Sequence, residues 1–147
     1  MKKLAFALAT LACLTLCPVQ AKEGAWLTDL PKALEQAKAE KKTVLIDFTG
    51  SDWCGWCIKF KKDVLDTPEF AKYAKANLVL VELDFPNKKA QSDELKKTNK
   101  ELQKKYEVRG FPTFLMLGAD GKELGRQVGY LQGGPAKFIE KLDGFKK

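Results

Sequence analysis

The chain has 147 residues, 45% hydrophobic and 31% charged, with 26 Lys and Arg against 19 Asp and Glu, no His and a formal charge of +7. That balance belongs to ordinary soluble domains and excludes a collagen-like or low-complexity chain, and nothing repeats at a solenoid or propeller period. The positive excess is nearly all lysine, in pairs such as Lys41-Lys42, Lys61-Lys62, Lys88-Lys89, Lys96-Lys97 and Lys104-Lys105, with Arg109 and Arg126 the only arginines. Solvated helix faces explain such pairs better than nucleic-acid binding, which relies on arginine forks and stacked aromatics.

At the N-terminus, Lys2 and Lys3 precede an apolar run from Leu4 to Cys17, and Val19-Gln20-Ala21 follows. These are the three regions of a secretory signal peptide, so residues 1–21 are expected to be removed by cleavage after Ala21 and the protein to be periplasmic or secreted. The apolar run of 14 residues is short against the roughly 20 that a spanning helix needs, which favours secretion over anchoring. Lipidation is disfavoured, because Cys17 follows Leu16 where a small residue is wanted and Cys13 has Thr10 where a leucine is wanted. Cleavage leaves one domain, 22–147, of an ordinary single-domain size. It also lowers the charge to +5 and leaves Cys54 and Cys57 as the only cysteines.

Lys22 to Thr28 reads as a lead-in anchored by Trp26. A first helix is expected from Thr28 or Asp29, with Pro31 in its first turn and Leu30, Ala33, Leu34 and Ala37 at helical spacing. Thr43 to Phe48 is a dense β-branched and apolar run, read as a buried strand. Beyond the cysteines, Trp56, Phe60 and Val64 continue a helical face. Asp66-Thr67-Pro68-Glu69 carries the cap, proline and glutamate that start another helical turn, with Phe70 and Tyr73 turned inward. Leu78 to Asp84 is a second buried strand, Pro86 to Gln91 a loop, and Ser92 to Tyr106 a lysine-rich helix with Leu95, Leu102 and Tyr106 on one face. Thr113 to Leu117 and Glu123 to Val128 flank Ala119-Asp120-Gly121-Lys122, where Asp-Gly is a strong hairpin signal. Pro135 opens a last helix with Phe138, Ile139 and Leu142 inside. Strands separated by helices are read as parallel and the hairpin as an antiparallel edge. The fold class is therefore α/β, a central mixed sheet of four or five strands flanked by helices on both faces.

Trp53-Cys54-Gly55-Trp56-Cys57 places two thiols at positions i and i+3 of a strand-to-helix turn, within reach of a disulfide. A helix start at Cys54 offers unpaired N–H groups and the positive end of the helix dipole, which favour its thiolate and make it the attacking sulfur. Cys57, one turn further in, is the shielded sulfur that resolves a mixed disulfide. Other uses of the pair stay open. A structural disulfide closing so short a loop restrains the unfolded chain little. Zinc needs more Cys and His ligands than two thiols without histidine supply, whereas copper(I) on two soft sulfurs is chemically possible.

Val44-Leu45-Ile46-Asp47-Phe48, the dithiol segment, Val108-Arg109-Gly110-Phe111-Pro112-Thr113, Gly121-Lys122 and Val128-Gly129 resemble the thioredoxin family in order and spacing. The Gly-Phe-Pro-Thr segment lies roughly 55 residues beyond the cysteines, and the resemblance covers nearly all of the chain after the signal. Thr49-Gly50-Ser51-Asp52 before Trp-Cys is similar to an exported bacterial thioredoxin-like subfamily with Asp-Trp-Cys-x-Trp-Cys. The resemblance implies a thioredoxin fold and thiol-disulfide oxidoreductase activity, with Cys54 as nucleophile, Cys57 as resolving cysteine and a redox-active Cys54-Cys57 disulfide. It implies that Asp47, on a buried strand, exchanges a proton with Cys57. It also implies a cis Pro112 opposite Cys54, although X-Pro bonds in folded proteins are cis only about 5–6% of the time. That turn leaves the Phe111 backbone free to pair with an extended substrate.

Trp53, Gly55, Trp56, Gly110, Phe111, Pro112 and Tyr130 are the candidate substrate-binding residues, an apolar apron suited to extended or partly unfolded chains. The proline of thioredoxin and the histidine of the oxidases and isomerases are both absent between the cysteines. The Trp-Cys approach and Asp47 are thioredoxin-like, which favours reductase or isomerase over oxidase. The expected partners are protein thiols and disulfides and a redox protein that donates or accepts electrons. No nucleic acid, cofactor or metal is expected, and a monomer is. The alternative is a copper(I)-binding or redox-sensing adaptor that uses the same thiols.

Overall fold

The computed structural model describes residues 25–147, so the expected signal segment 1–21, the cleavage after Ala21, and Cys13 and Cys17 lie outside the described residues. Helix α1 spans Leu30–Glu40, and the Asp29 side chain caps it by accepting from the Lys32 amide at 3.1 Å. Pro31 fits the first turn because its missing N–H is not needed there. Leu30, Ala33 and Ala37 are the buried stripe, and Lys41 ends the helix in the left-handed region at φ 55°. Strand β1, Thr43–Thr49, follows with all but its first residue buried.

Helix α2, Gly55–Phe60, runs into a π-helical turn, Lys61–Leu65, closed by the Asp66 N–H donating to the Lys61 carbonyl at 2.8 Å. Thr67 then caps α3, Pro68–Asn77, through the Phe70 amide at 3.3 Å. Strand β2 is Leu78–Asp84. Ser92 caps α4, Asp93–Lys105, and Tyr106 ends it, so the expected bounds of this helix are its two caps. Strands β3, Thr113–Leu117, and β4, Glu123–Val128, form the hairpin. Gly121 lies in its turn at φ +80°, a conformation that glycine adopts without steric cost. Helix α5, Gly134–Gly144, buries Phe138 and Leu142.

The four strands are ordered β2-β1-β3-β4. Strands β1 and β2 are parallel, while β3 is antiparallel to β1 and to β4. The sequence reading made every helix-separated strand parallel, and β3 corrects it. Helix α4 stays at the end of the sheet where β2 finishes: Gln91 Nε2 and Asn99 Nδ2 both donate to the Asp84 carbonyl, at 3.2 and 2.9 Å, and Tyr106 packs edge-on against Phe48 of β1. The chain therefore re-enters the sheet at the end it left and must run back. Leu27 adds a parallel bridge outside β2, giving an N–H to Leu80 O at 2.9 Å and accepting from the Glu82 amide at 2.8 Å.

One sheet face packs Val44, Ile46, Phe48, Val81 and Leu83 against α1 and residues of α4. The other packs Leu45, Leu80 and Phe114 against Phe60, Phe70 and Phe138. In this second core Phe60 lies 4.5 Å from Phe114 and 5.0 Å from Phe138, ring centre to ring centre, and Phe70 lies 5.8 Å from Phe138. These contacts tie the helix carrying the cysteines to the sheet and to α5. Phe138 is fully buried, so Phe138→Ala is expected to cost about 3–5 kcal/mol. The measurement is a lower urea midpoint at unchanged slope; a loss under about 1 kcal/mol would contradict this role for the cluster.

Candidate active site

Strands β1 and β2 are parallel neighbours, so the loops that leave them emerge side by side. Cys54 ends the first of these loops in extended conformation, φ −82° and ψ 101°, as the N-cap residue of α2. Its amide donates to Gly50 O at 2.9 Å, and the Cys57 amide donates to the Cys54 sulfur at 3.2 Å. The two cysteines form a disulfide, with Sγ atoms 2.11 Å and Cα atoms 5.2 Å apart. A donor already aimed at the first sulfur is the contact that stabilises a thiolate there once the pair is reduced. Cys57 is the more enclosed residue of the two, at 4% exposure against 8% for Cys54.

A polar clamp holds the loop before Cys54. The Ser51 amide and hydroxyl donate to the two oxygens of Asp84, at 2.9 and 2.5 Å. The Asp52 carboxylate accepts the amides of Asn87, Lys88 and Lys89, at 2.9, 2.6 and 3.0 Å, and these bonds hold its pKa below the ordinary carboxylate value. The Trp53 indole N–H donates to Phe85 O at 2.7 Å. That indole lies over Gly50, where a Cβ would stand 2.5 Å from the ring, so a larger residue there would have to push the indole aside. Sequence reasoning treated Ser51 and Asp52 only as motif letters and missed Asp84, because the partners lie more than 30 residues away.

The aromatics of the expected apron contact one another in two groups. Trp53 is 47% exposed and meets Phe111 edge-on at 6.0 Å, while Phe111 stacks on Phe85 at 5.0 Å. Trp56 is 61% exposed and tilts against Tyr130 at 5.4 Å. The Tyr130 hydroxyl donates to Asp63 at 2.8 Å, and Lys59 bonds the same carboxylate oxygen at 2.7 Å. Gly55 and Gly110 are exposed and Pro112 is buried. The Phe111-Pro112 bond is cis, and Pro112 O accepts from the Gly129 amide at 2.8 Å. Ile58 and Val128 are exposed hydrophobics of the same class that the sequence reading did not single out. Their periodicity placed them in a helix and a strand but could not tell which face was left uncovered.

Asp47 is buried at the middle of β1, on the face that α2 covers, and its Oδ1 has no hydrogen-bond partner among the described residues. Burial holds its carboxyl well above the ordinary range, the charge of Glu82 adds to this, Lys61 opposes it and Asp84 reinforces it. A carboxyl in that condition exchanges protons nearer neutrality than an exposed one. Among the described residues, no group of three or more His, Cys, Asp or Glu side chains is placed to hold a metal ion.

Comparisons with known proteins agree with this geometry. A family model described as a thioredoxin-like domain matches residues 30–146. The disulfide bond reductase DsbH of Chlamydia pneumoniae is 40% identical over 125 residues, covering 85% of this chain and 74% of that protein. The thioredoxin-related protein DsbJ of the same organism is 32% identical over 101 residues, 69% of this chain but only 29% of its own length. Among solved structures, a DsbH oxidoreductase superposes with a TM-score of 0.77 at 36% identity, over 93% of this chain and 94% of the other. A thioredoxin from Thermus thermophilus superposes with a TM-score of 0.60 at 26% identity, over 82% and 86%. With a CxxC disulfide capping α2 of a four-stranded mixed sheet, the chain has the thioredoxin fold and belongs to the thioredoxin-like family of thiol-disulfide oxidoreductases.

Proposed function

We propose that this protein is an exported reductase of protein disulfides, with Cys54 as nucleophile, Cys57 as resolving cysteine and Asp47 as the proton acceptor for Cys57. The observation that carries the reading is the Cys57 amide aimed at the Cys54 sulfur, in a segment whose Trp53 and Trp56 are exposed. The Cys54 thiolate attacks one sulfur of a substrate disulfide and releases the other as a thiolate. The Cys57 thiol gives its proton to Asp47, and its thiolate attacks Cys54. The Cys54-Cys57 bond forms as the bond to substrate breaks, so the substrate leaves with both sulfurs reduced and the protein is oxidised by two electrons.

Trp53, Trp56, Phe111 and Tyr130 offer apolar contact to an extended substrate segment, with Gly55 and Gly110 leaving room for its backbone beside cis Pro112. Reduction is favoured over oxidation because no histidine stands between the cysteines to stabilise the thiolate further. The name of the 40% identical relative, a disulfide bond reductase, supports the same direction. Export follows from residues 1–21 read as a signal peptide, and a redox protein must return electrons to the disulfide. The copper(I)-carrying or redox-sensing alternative gains no support from these relatives.

In insulin reduction, Cys54→Ser is expected to be inert and Cys57→Ser to accumulate mixed disulfides with substrate; a Cys57→Ser protein that traps nothing would contradict the assigned order of attack. The potential of the pair against glutathione is expected nearer the about −270 mV of thioredoxin than the about −120 mV of strong periplasmic oxidases. Asp47 also predicts a pH dependence of stability. Its folded-state pKa lies above the ordinary value of 3.8, so the folded protein keeps a proton that the unfolded chain gives up, and stability falls as pH rises through that window. Asp47→Asn should flatten this slope, raising the urea midpoint relative to the parent at neutral pH and leaving it unchanged below the ordinary value. An equal midpoint difference at both pH values would contradict a titrating Asp47.

A further inference from the structure

The resolving step leaves one charged group beside Asp47 without a role. Glu82 is the register partner of Asp47 in the parallel β1–β2 pair, so both side chains leave the sheet on the face covered by α2. Along that face Leu45 and Leu80 belong to the aromatic core, and one pleat further on the pair becomes Asp47 and Glu82. Asp47 is enclosed and carries the unpartnered Oδ1. Glu82 is half-buried and makes no ion pair with any described residue. It lines a partly open cavity of about 460 Å³, together with Trp26, Thr49, Ser51, Cys57 and Lys61.

A proton delivered to Asp47 therefore has an enclosed carboxyl to leave and, on the next strand, a second carboxyl that reaches the cavity. We propose that Glu82 is the group through which Asp47 exchanges its proton with solvent, a positioning residue for the resolving step that touches neither sulfur. The proposal rests on Asp47 being the proton acceptor for Cys57. The proton that burial keeps on Asp47 first passes to the Glu82 carboxylate and out to water, which leaves Asp47 as a carboxylate. The Cys57 proton then goes to the emptied Asp47 carboxylate, the Cys57 thiolate displaces the substrate sulfur from Cys54, and the same route carries the proton out again.

The surroundings suit this transfer. Burial raises the Glu82 carboxyl above its ordinary range; Lys61 and Lys89 oppose that, while Asp84 and Asp66 add to it. Asp47 is raised by burial, Glu82 and Asp84 and lowered by Lys61. Both neighbouring carboxyls are displaced in the same direction, so each takes up a proton more readily than an exposed carboxylate does. Lys61, one residue past α2 and ion-paired with Asp66 at 3.1 Å, lines the same cavity, and its charge opposes the rise at both carboxyls.

The test follows the reduced protein as it reacts with an aromatic disulfide whose thiolate is coloured. The first thiolate released reports attack by Cys54, and the second reports resolution by Cys57. Glu82→Gln is expected to leave the first release unchanged, which also shows that the variant is folded. It should slow the second about tenfold at neutral pH and alter its pH profile, and Glu82→Asp should restore both. Glu82→Gln combined with Asp47→Asn should be no slower than Asp47→Asn alone. A second release in Glu82→Gln that is unchanged or faster, as loss of a like charge alone would give, overturns the proposal while a slowed Asp47→Asn upholds the acceptor. A double variant slowed by the full product of the single effects overturns the route through Asp47. A second release at the parent rate in Asp47→Asn overturns the acceptor reading itself, and the proposal with it.

Discussion

The two bonds from Ser51 to the Asp84 carboxylate fasten the end of β1 to the end of β2, and the placement of Cys54 depends on them. Without that anchor the loop 50–53 would be a flexible run carrying a reactive sulfur. With it, and with Asp52 drawing in three amides of the opposite loop, Cys54 is delivered to the start of α2 in a capping conformation. The clamp is built from charge-assisted bonds, the stronger class of hydrogen bond. It is possible only because the parallel pairing of β1 and β2 brings both loops to the same edge of the sheet.

From this edge inward the chemistry of one sheet face changes over a single pleat. Leu45 and Leu80 meet the phenylalanines, which anchor α2 and hence Cys57; Asp47 and Glu82 follow, beneath the helix start. An unpartnered carboxyl in that position works against folding at neutral pH, since burial penalises its charged form. The aromatic core beside it is large enough to hold the geometry regardless. Lys61, at the start of the π-helical turn after Phe60, lines the same cavity, and its positive charge opposes the rise in the Asp47 pKa. Local irregularity of this kind is common where a helix must aim a side chain at a site.

Much of the fold was legible from local patterns. Strands β2, β3 and β4 occupy the residues their apolar runs marked, because short buried runs between turn signals have few other solutions. Ser92, Thr67 and Asp29 were readable as caps because a side-chain oxygen bonding an amide three residues on is a local event. Asn99 was not legible: it occupies the inward face between Leu95 and Leu102, is 1% exposed, and bonds the carbonyl of Asp84, which no helical periodicity announces. The direction of β3 was not legible either, since it depends on where α4 lies across the sheet.

By itself the sequence determined the pair of thiols, the cap that presents Cys54, the buried aspartate on β1 and the Gly-Phe-Pro-Thr segment, because each follows from local spacing or from a recognisable motif. Only the tertiary structure decided which aromatics stay exposed, that Asp84 and Phe85 hold the cysteine loop, and that Glu82 is the neighbour of Asp47. The reason is physical: these relations join residues 30 or more positions apart through strand register and loop packing. A shift of one residue between β1 and β2 would turn Glu82 to the other face and leave every local pattern unchanged.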